Sequence, residues 1–406
     1  MLSRRTVVAS ALAGTAATLT ATRAGAAIAS ITFSTAVDYT GPFADVMPSW
    51  HSGHRAMAAW WNDTEGKRLG AEVVLKVHDM RYNTGVVAQS WPGILASEKP
   101  AMYLGMGTPD LIALMKRLPS DKVPMIMPTA MLGLVWKPNG WGFTFRPTYS
   151  HEFAALFAYL QTRLPDKRAL RIATVSTKGR AGYEDQVNGI VHLTRLYPDR
   201  FKIADQQWVA DNPVDATDQV RRMGAEKPDV VMIGATTAQV VAVAKARKDL
   251  GLSFPIASSS HNGITETRKV IPLADLEGDF SVFSFAPYNQ PGLPAAAAYE
   301  KYHTAPGSWG IVAAQAAAQT VLACRILEAA IGKVGVAKAD GQALYDAILG
   351  NPYTEAAMLG LTATLRYDTS RPFPIGEVKA KALTVRNGAI VPLTQDWMPC
   401  PELSKW

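Results

Sequence analysis

Residues 102–104 are apolar and run into Gly105-Met106-Gly107-Thr108-Pro109-Asp110, after which an amphipathic pattern begins. A strand that ends in glycines and opens a helix gathers backbone N–H groups around one point, and such a point favours an anion. A dinucleotide would need a third glycine where Asp110 stands, on the first strand of its unit rather than the third, so nucleotide binding is set aside. A carboxylate suits the donors that remain, with Gly107 making the turn and Thr108 offering its hydroxyl. The plainer use of Thr108 is as a helix cap alone. Pro128-Thr129-Ala130 follows the next strand and opens on the same edge of the sheet, where open α/β folds bind ligands, so Thr129 and Ala130 join Thr108 as candidates.

Tyr39, Trp50, Tyr183 and Trp309 stand at loop or helix starts that should border the same crevice, and their aromatic faces would cover an apolar solute. His51 and His54 lie three residues apart without the third ligand a metal would need, and Trp60-Trp61 reads as packing against a sheet. No G-x-S-x-G, H-E-x-x-H or P-loop lysine occurs, so the chain reads as a binding protein rather than an enzyme, with no cofactor and no metal.

The elements that must hold these residues alternate. Expected strands at residues 28–37, 72–78, 101–104 and 124–127 are separated by helices at 48–62, 85–97 and 108–118, the rhythm of a parallel sheet covered on both faces. The rhythm restarts at Ser150, with Phe153, Leu156, Phe157 and Leu160 on one helical face. It continues through strands at 171–176, 201–208, 230–234 and 255–258, with a helix over 238–250. Extended pieces at 143–147 and 280–286 read as crossings between two α/β halves, which a helix over 309–331 and a β-rich tail over 361–392 complete.

The 406 residues, 48% hydrophobic and 18% charged, suffice for two cores. Ser3-Arg4-Arg5 precedes an acid-free run of Ala, Thr and Val with small-residue cleavage positions around residues 24–29, which reads as a cleavable export signal of twin-arginine type over residues 1–27. No cysteine lies near the cleavage region, so a lipid anchor is not expected and the mature chain is placed in the periplasm. Loss of Arg4, Arg5 and Arg23 lowers the formal charge of +7 by three, and the remaining Lys and Arg are scattered, which argues against nucleic acid. Cys324 and Cys400 leave two readings open, one disulfide or two free thiols.

Four stretches in order, Thr40-Gly41-Pro42, Gly105 to Thr108, Pro128-Thr129-Ala130 and Ala181-Gly182-Tyr183-Glu184, resemble the leucine/isoleucine/valine-binding class of periplasmic solute-binding proteins over residues 28–395. The resemblance implies an α/β fold of two Rossmann-like lobes with parallel sheets joined by a multi-strand hinge, the type I periplasmic binding protein architecture. Residues 28–145 with 284–357 would form the first lobe and 146–283 with 358–406 the second. A role is implied as well: a monomer captures a small organic carboxylate between its lobes and delivers it to an inner-membrane ABC permease. A branched-chain amino acid ligand, or a sensing receptor of the same fold, is the alternative.

By the same resemblance the ligand carboxylate falls to Thr108, Thr129 and Ala130, and the second lobe reaches it from Ala181 and from the loop carrying Thr236. Amino-acid binders of this class place an acid after the strand expected at 255–258 to pair with the ammonium. Here Ser258-Ser259-Ser260-His261-Asn262 follows that strand, with Ser260 at the acid's place. A buried ammonium without a counter-charge is costly, so the departure favours an acid without an α-amino group, aromatic or branched, unless Asp38 or Glu184 supplies the charge.

Overall fold

The structure is a computed structural model that describes residues 28–403 apart from 138, 305 and 377; the expected export signal lies outside the described residues. Ala29–Val37 (β1), Ala71–Asp79 (β2), Met102–Leu104 (β3), Met125–Met127 (β4) and Gly142–Thr144 (β5) form an all-parallel sheet in the order β2-β1-β3-β4-β5. Strands β3, β4 and β5 are buried at every residue, as a sheet covered on both faces requires. The strand order reverses at β1, so the connections leaving β1 and β3 part there and open a crevice at the carboxyl edge.

The second sheet comprises Leu170–Ser176 (β6), Phe201–Trp208 (β7), Val230–Gly234 (β8), Ile256–Ser258 (β9), Phe280–Phe283 (β10), Lys379–Arg386 (β11) and Ala389–Pro392 (β12) in the order β12-β11-β10-β9-β8-β6-β7, with the short strand Met398–Pro399 (β13) paired to β11 off this path. It is parallel from β7 to β10, and β11 and β12 join it antiparallel. These are two α/β lobes built on parallel sheets, as the resemblance implies. The helices that bear on the crevice are Met47–Trp61 (α1), Thr84–Glu98 (α2), Thr108–Leu114 (α3), Tyr149–Gln161 (α4), Ala181–Leu196 (α5), Thr237–Asp249 (α6) and Ile311–Val334 (α7).

Helix α4 buries Phe153, Leu156 and Phe157 on the face that their spacing gave, against the second sheet. The helix expected over 108–118 stops at Leu114, and a separate turn, Leu118–Asp121, begins with Pro119. A proline at 119 lacks an N–H and its ring crowds the Met115 carbonyl, which disfavours one continuous helix here. Helix α7 carries small residues and is buried along most of its length, which makes it the central post of the first lobe. Cys324 within it and Cys400 beyond β12 are both free thiols.

Three chain segments join the lobes. Residues after β5 and after β10 pass side by side, with the rings of Phe145 and Phe285 6.4 Å apart. A third passes back later: Tyr367 donates its hydroxyl to Thr144 O, and Thr144 N donates to Pro372 O, before the chain reaches β11.

Candidate functional site

The loop after β3 is built around its own acid. Asp110, 2% exposed, accepts the Met106 and Gly107 N–H groups on Oδ2 at 3.0 and 3.1 Å and the Tyr103 hydroxyl on Oδ1 at 2.8 Å. Burial pushes its pKa up while these three donors pull it back. The slot expected to hold a ligand carboxylate with these amides therefore holds the chain's own, one helical turn on, as an N-terminal acid closing on its cap. Gly107, at φ +154°, brings the loop against the β4 loop, where a Cβ would lie 3.0 Å from Thr129 O.

Thr108 remains a donor. Its Oγ1 accepts Met131 N at 3.1 Å and keeps its own proton for a further acceptor. Thr129, by contrast, gives its proton to Pro147 O in the crossing at 3.0 Å, and Ala130 is buried beside it.

The second lobe closes onto this edge through the start of α5. The lobes leave an inner cavity of about 20 Å³ that Phe43, Tyr82, Thr108, Thr129 and Ala130 line from the first lobe and Tyr149, Tyr183, Asp185 and His261 from the second. An adjoining chamber of about 280 Å³ is bordered by Tyr82, Asn83, Thr84 and Thr108 on one side and by Arg180, Ala181, Gly182 and Tyr183 on the other. The first turns of α2 and α5 face it. Asn83 Oδ1 caps α2 by accepting Gly85 N and Val86 N, which leaves its amide donors outward. In α5, Tyr183 N and Glu184 N bond to Arg180 O, which leaves the Ala181 and Gly182 amides unbonded within the helix. Arg180 pairs with Asp211 at 2.6 Å.

His261 takes a fixed tautomer. Its Nε2 donates to Ala235 O at 3.0 Å, and its Nδ1 accepts from the Tyr149 hydroxyl at 3.0 Å; Ser259 Oγ, also 3.0 Å from Nδ1, gives its proton to Asn262 Oδ1. Burial holds its pKa near 4, so the ring presents no charge to the cavity. Behind it, Arg146 and Glu152 form a fully buried, two-pronged ion pair, and Arg146 Nη1 donates to Ser260 Oγ at 2.8 Å. Ser260 in turn donates to Gln315 Oε1 on α7 at 2.5 Å.

Several expected ligand residues sit elsewhere. Ser260 is spent on the hinge rather than the cavity. Trp50 is buried edge-on against His54, and Trp309 donates to Tyr288 O and packs on Tyr299; neither borders either cavity. Tyr39 is 41% exposed, its hydroxyl 2.8 Å from His51 Nδ1. Thr236 caps α6 through Gln239 and borders a separate groove with Thr40 and Asp211. Glu184 accepts Gly179 N. No group of three or more His, Cys, Asp or Glu placed to hold a metal occurs among the described residues.

Asp38 is fully buried after β1, with Oδ2 accepting Phe43 N at 2.8 Å and Oδ1 lacking a partner among the described residues. Burial raises its pKa from 3.8 to about 6. A carboxyl raised in this way binds its proton in the folded chain before the unfolded chain does, so falling pH between 6 and 4 relieves a cost present at neutrality. Replacement by Asn should therefore look more favourable at pH 7 than at pH 4. Urea midpoints of Asp38→Asn and parent at the two pH values test this, and an equal difference at both would contradict it.

Tyr82, Tyr149, Phe43 and Asp185 escape the sequence reading. Asp185 had a signal, since it lies three residues after Gly182 on the helix that the Ala181 motif opens and so shares its face. Tyr82 had none: Arg81 and Tyr82 both take left-handed backbone, at φ 53° and 45°, which non-glycine residues seldom do.

Residues 30–382 match the family described as periplasmic binding protein. Among solved structures, a branched-chain amino acid ABC transporter protein from Thermus thermophilus with bound valine aligns with a TM-score of 0.77 at 19% identity, over 93% of this chain and 97% of that one. An ABC transporter substrate-binding protein from Aeropyrum pernix gives 0.77 at 18%, over 92% and 96%. A branched-chain amino acid transporter substrate-binding protein from Streptococcus pneumoniae in complex with isoleucine gives 0.70 at 13%, over 91% and 99%. No curated protein matches the chain in sequence.

Proposed function

Because the chain belongs to the periplasmic binding protein family, we propose that it is the periplasmic solute-binding component of an ABC importer and that its ligand is a small organic carboxylate with a planar or branched apolar body. One observation carries the ligand class: the inter-lobe chamber of about 280 Å³ has no acidic residue in its lining, while the Asn83 side-chain amide, the Thr108 hydroxyl and the Ala181 and Gly182 amides at the start of α5 supply donors to it, beside an Arg180 guanidinium that Asp211 already pairs. Tyr82 and Tyr183 wall it from opposite lobes, so a flat acid would be gripped by both when they close. An export signal over residues 1–27 and a monomeric state in solution belong to the same reading.

A second reading rests on Asp185. Its carboxylate borders the adjoining inner cavity, so a zwitterion with its carboxylate in the chamber and its ammonium at Asp185 would also fit. A thermal-shift panel separates the two: benzoate, 4-hydroxybenzoate and isovalerate should raise the melting temperature, whereas benzamide and leucine should not. Binding to the folded state alone contributes about 2.7 kcal/mol at a hundredfold excess over Kd. A shift with leucine and none with the acids would favour the second reading and reject the first.

A further inference from the structure

Two adjacent backbone amides in the β4 loop point to different lobes. Met131 N donates to Thr108 Oγ1 within the first lobe, and Leu132 N donates to Asp185 Oδ2 of the second at 3.0 Å. One turn earlier on α5, Gly182 lies so close to Thr108 that a Cβ there would stand 2.9 Å from Oγ1 and 3.4 Å from the Thr108 Cβ. Asp185 is 7% exposed and Thr108 6%, so water is largely excluded from this seam. A hydrogen bond to an ionised acceptor in such a place is stronger than one between neutral groups, and an amide stripped of its acceptor there is penalised.

We infer that Gly182 and Asp185 form a catch that holds the two lobes together by direct contact, Gly182 setting how near α5 approaches and Asp185 locking it to the Leu132 amide. The catch forms between protein groups alone and needs no solute to be made. It lowers the cost of closure before any ligand contributes, and it fixes the spacing between Tyr82 and Tyr183 that a ligand must match.

The test uses the purified chain without added solute. In Asp185→Leu the closed form leaves Leu132 N without its acceptor, so the radius of gyration in solution scattering should rise and the Leu132 amide should exchange roughly tenfold faster, the effect of losing about 1.4 kcal/mol. Asp185→Asn keeps an acceptor oxygen and should fall between that variant and the parent. Gly182→Ala should also enlarge the radius, since its methyl meets Thr108. The melting temperature of each variant reports on lobe integrity and should change little. An unchanged radius and Leu132 exchange in Asp185→Leu and Gly182→Ala would overturn the catch, whatever the solute panel shows.

Discussion

Arg146→Met should destabilise the folded chain by about 3–5 kcal/mol, the usual result of removing one partner of a buried ion pair and leaving the other charged and dry. Arg146 and Glu152 are both fully buried, and the guanidinium also lies 4.7 Å from the Tyr149 ring centroid and 5.5 Å from that of Phe285. Loss of Arg146 therefore strips the Glu152 carboxylate of its main donor, removes a donor from Ser260 and unpacks two crossing segments at once. The double variant Arg146→Met with Glu152→Leu removes both charges and should recover most of the loss. Burial already pushes the Glu152 pKa up, held back chiefly by Arg146. In the single variant it should rise further, so the deficit should shrink as pH falls toward the unfolded carboxyl value near 4.3. Urea unfolding of parent, single and double variants at pH 7 and pH 5 checks both statements. A double variant as unstable as the single one would mean that shape rather than charge carries the effect.

Arg146 also ties the two lobes together at the hinge. Ser260 stands where the resemblance to amino-acid binders implied an acid, and the structure gives it to Arg146 and Gln315 instead. Ser260 thus joins a side chain of each lobe, Arg146 and Gln315, at the hinge.

The alternation of strands and helices is a property of local spacing, and for that reason the two sheets are legible in the sequence; the segments 143–147 and 280–286, read there as crossings, in fact begin as β5 and β10 within the sheets and cross only afterwards, because a short, fully buried strand has no alternation to mark it. The site was legible only where position along the chain determines direction. Thr108 begins a helix at the carboxyl end of a strand, and any parallel α/β sheet places that point on the crevice. The destination of the loop amides was not legible from glycine spacing alone, although Asp110 at the third helical position was the clue that the loop would cap itself. Trp50 and Trp309 share helix or loop starts with true cavity residues, yet the start of a helix does not specify which face its side chains turn to. Tyr82 depends on a left-handed backbone pair and Tyr149 on packing beside Arg146, both decided by tertiary contacts.

Thr108→Val should preserve the fold yet weaken benzoate binding by about 1–3 kcal/mol, because a carboxylate in a desolvated cleft loses a hydroxyl donor while the shape of the side chain is kept. Thr108, with Tyr82, Gly182 and Tyr183, borders both the inner cavity and the chamber, and its hydroxyl is a donor at the seam between them. Met131 N loses its acceptor in the same variant, and benzamide provides the control for that: a general loosening of the loop would weaken both ligands alike. The most direct measurement is isothermal titration of benzoate, benzamide and leucine into parent and Thr108→Val protein. The account predicts that benzoate binds the parent more tightly than the other two and loses about 1–3 kcal/mol in the variant. Benzamide binding as tightly as benzoate, leucine binding more tightly than benzoate, or an unchanged benzoate affinity in Thr108→Val would contradict it.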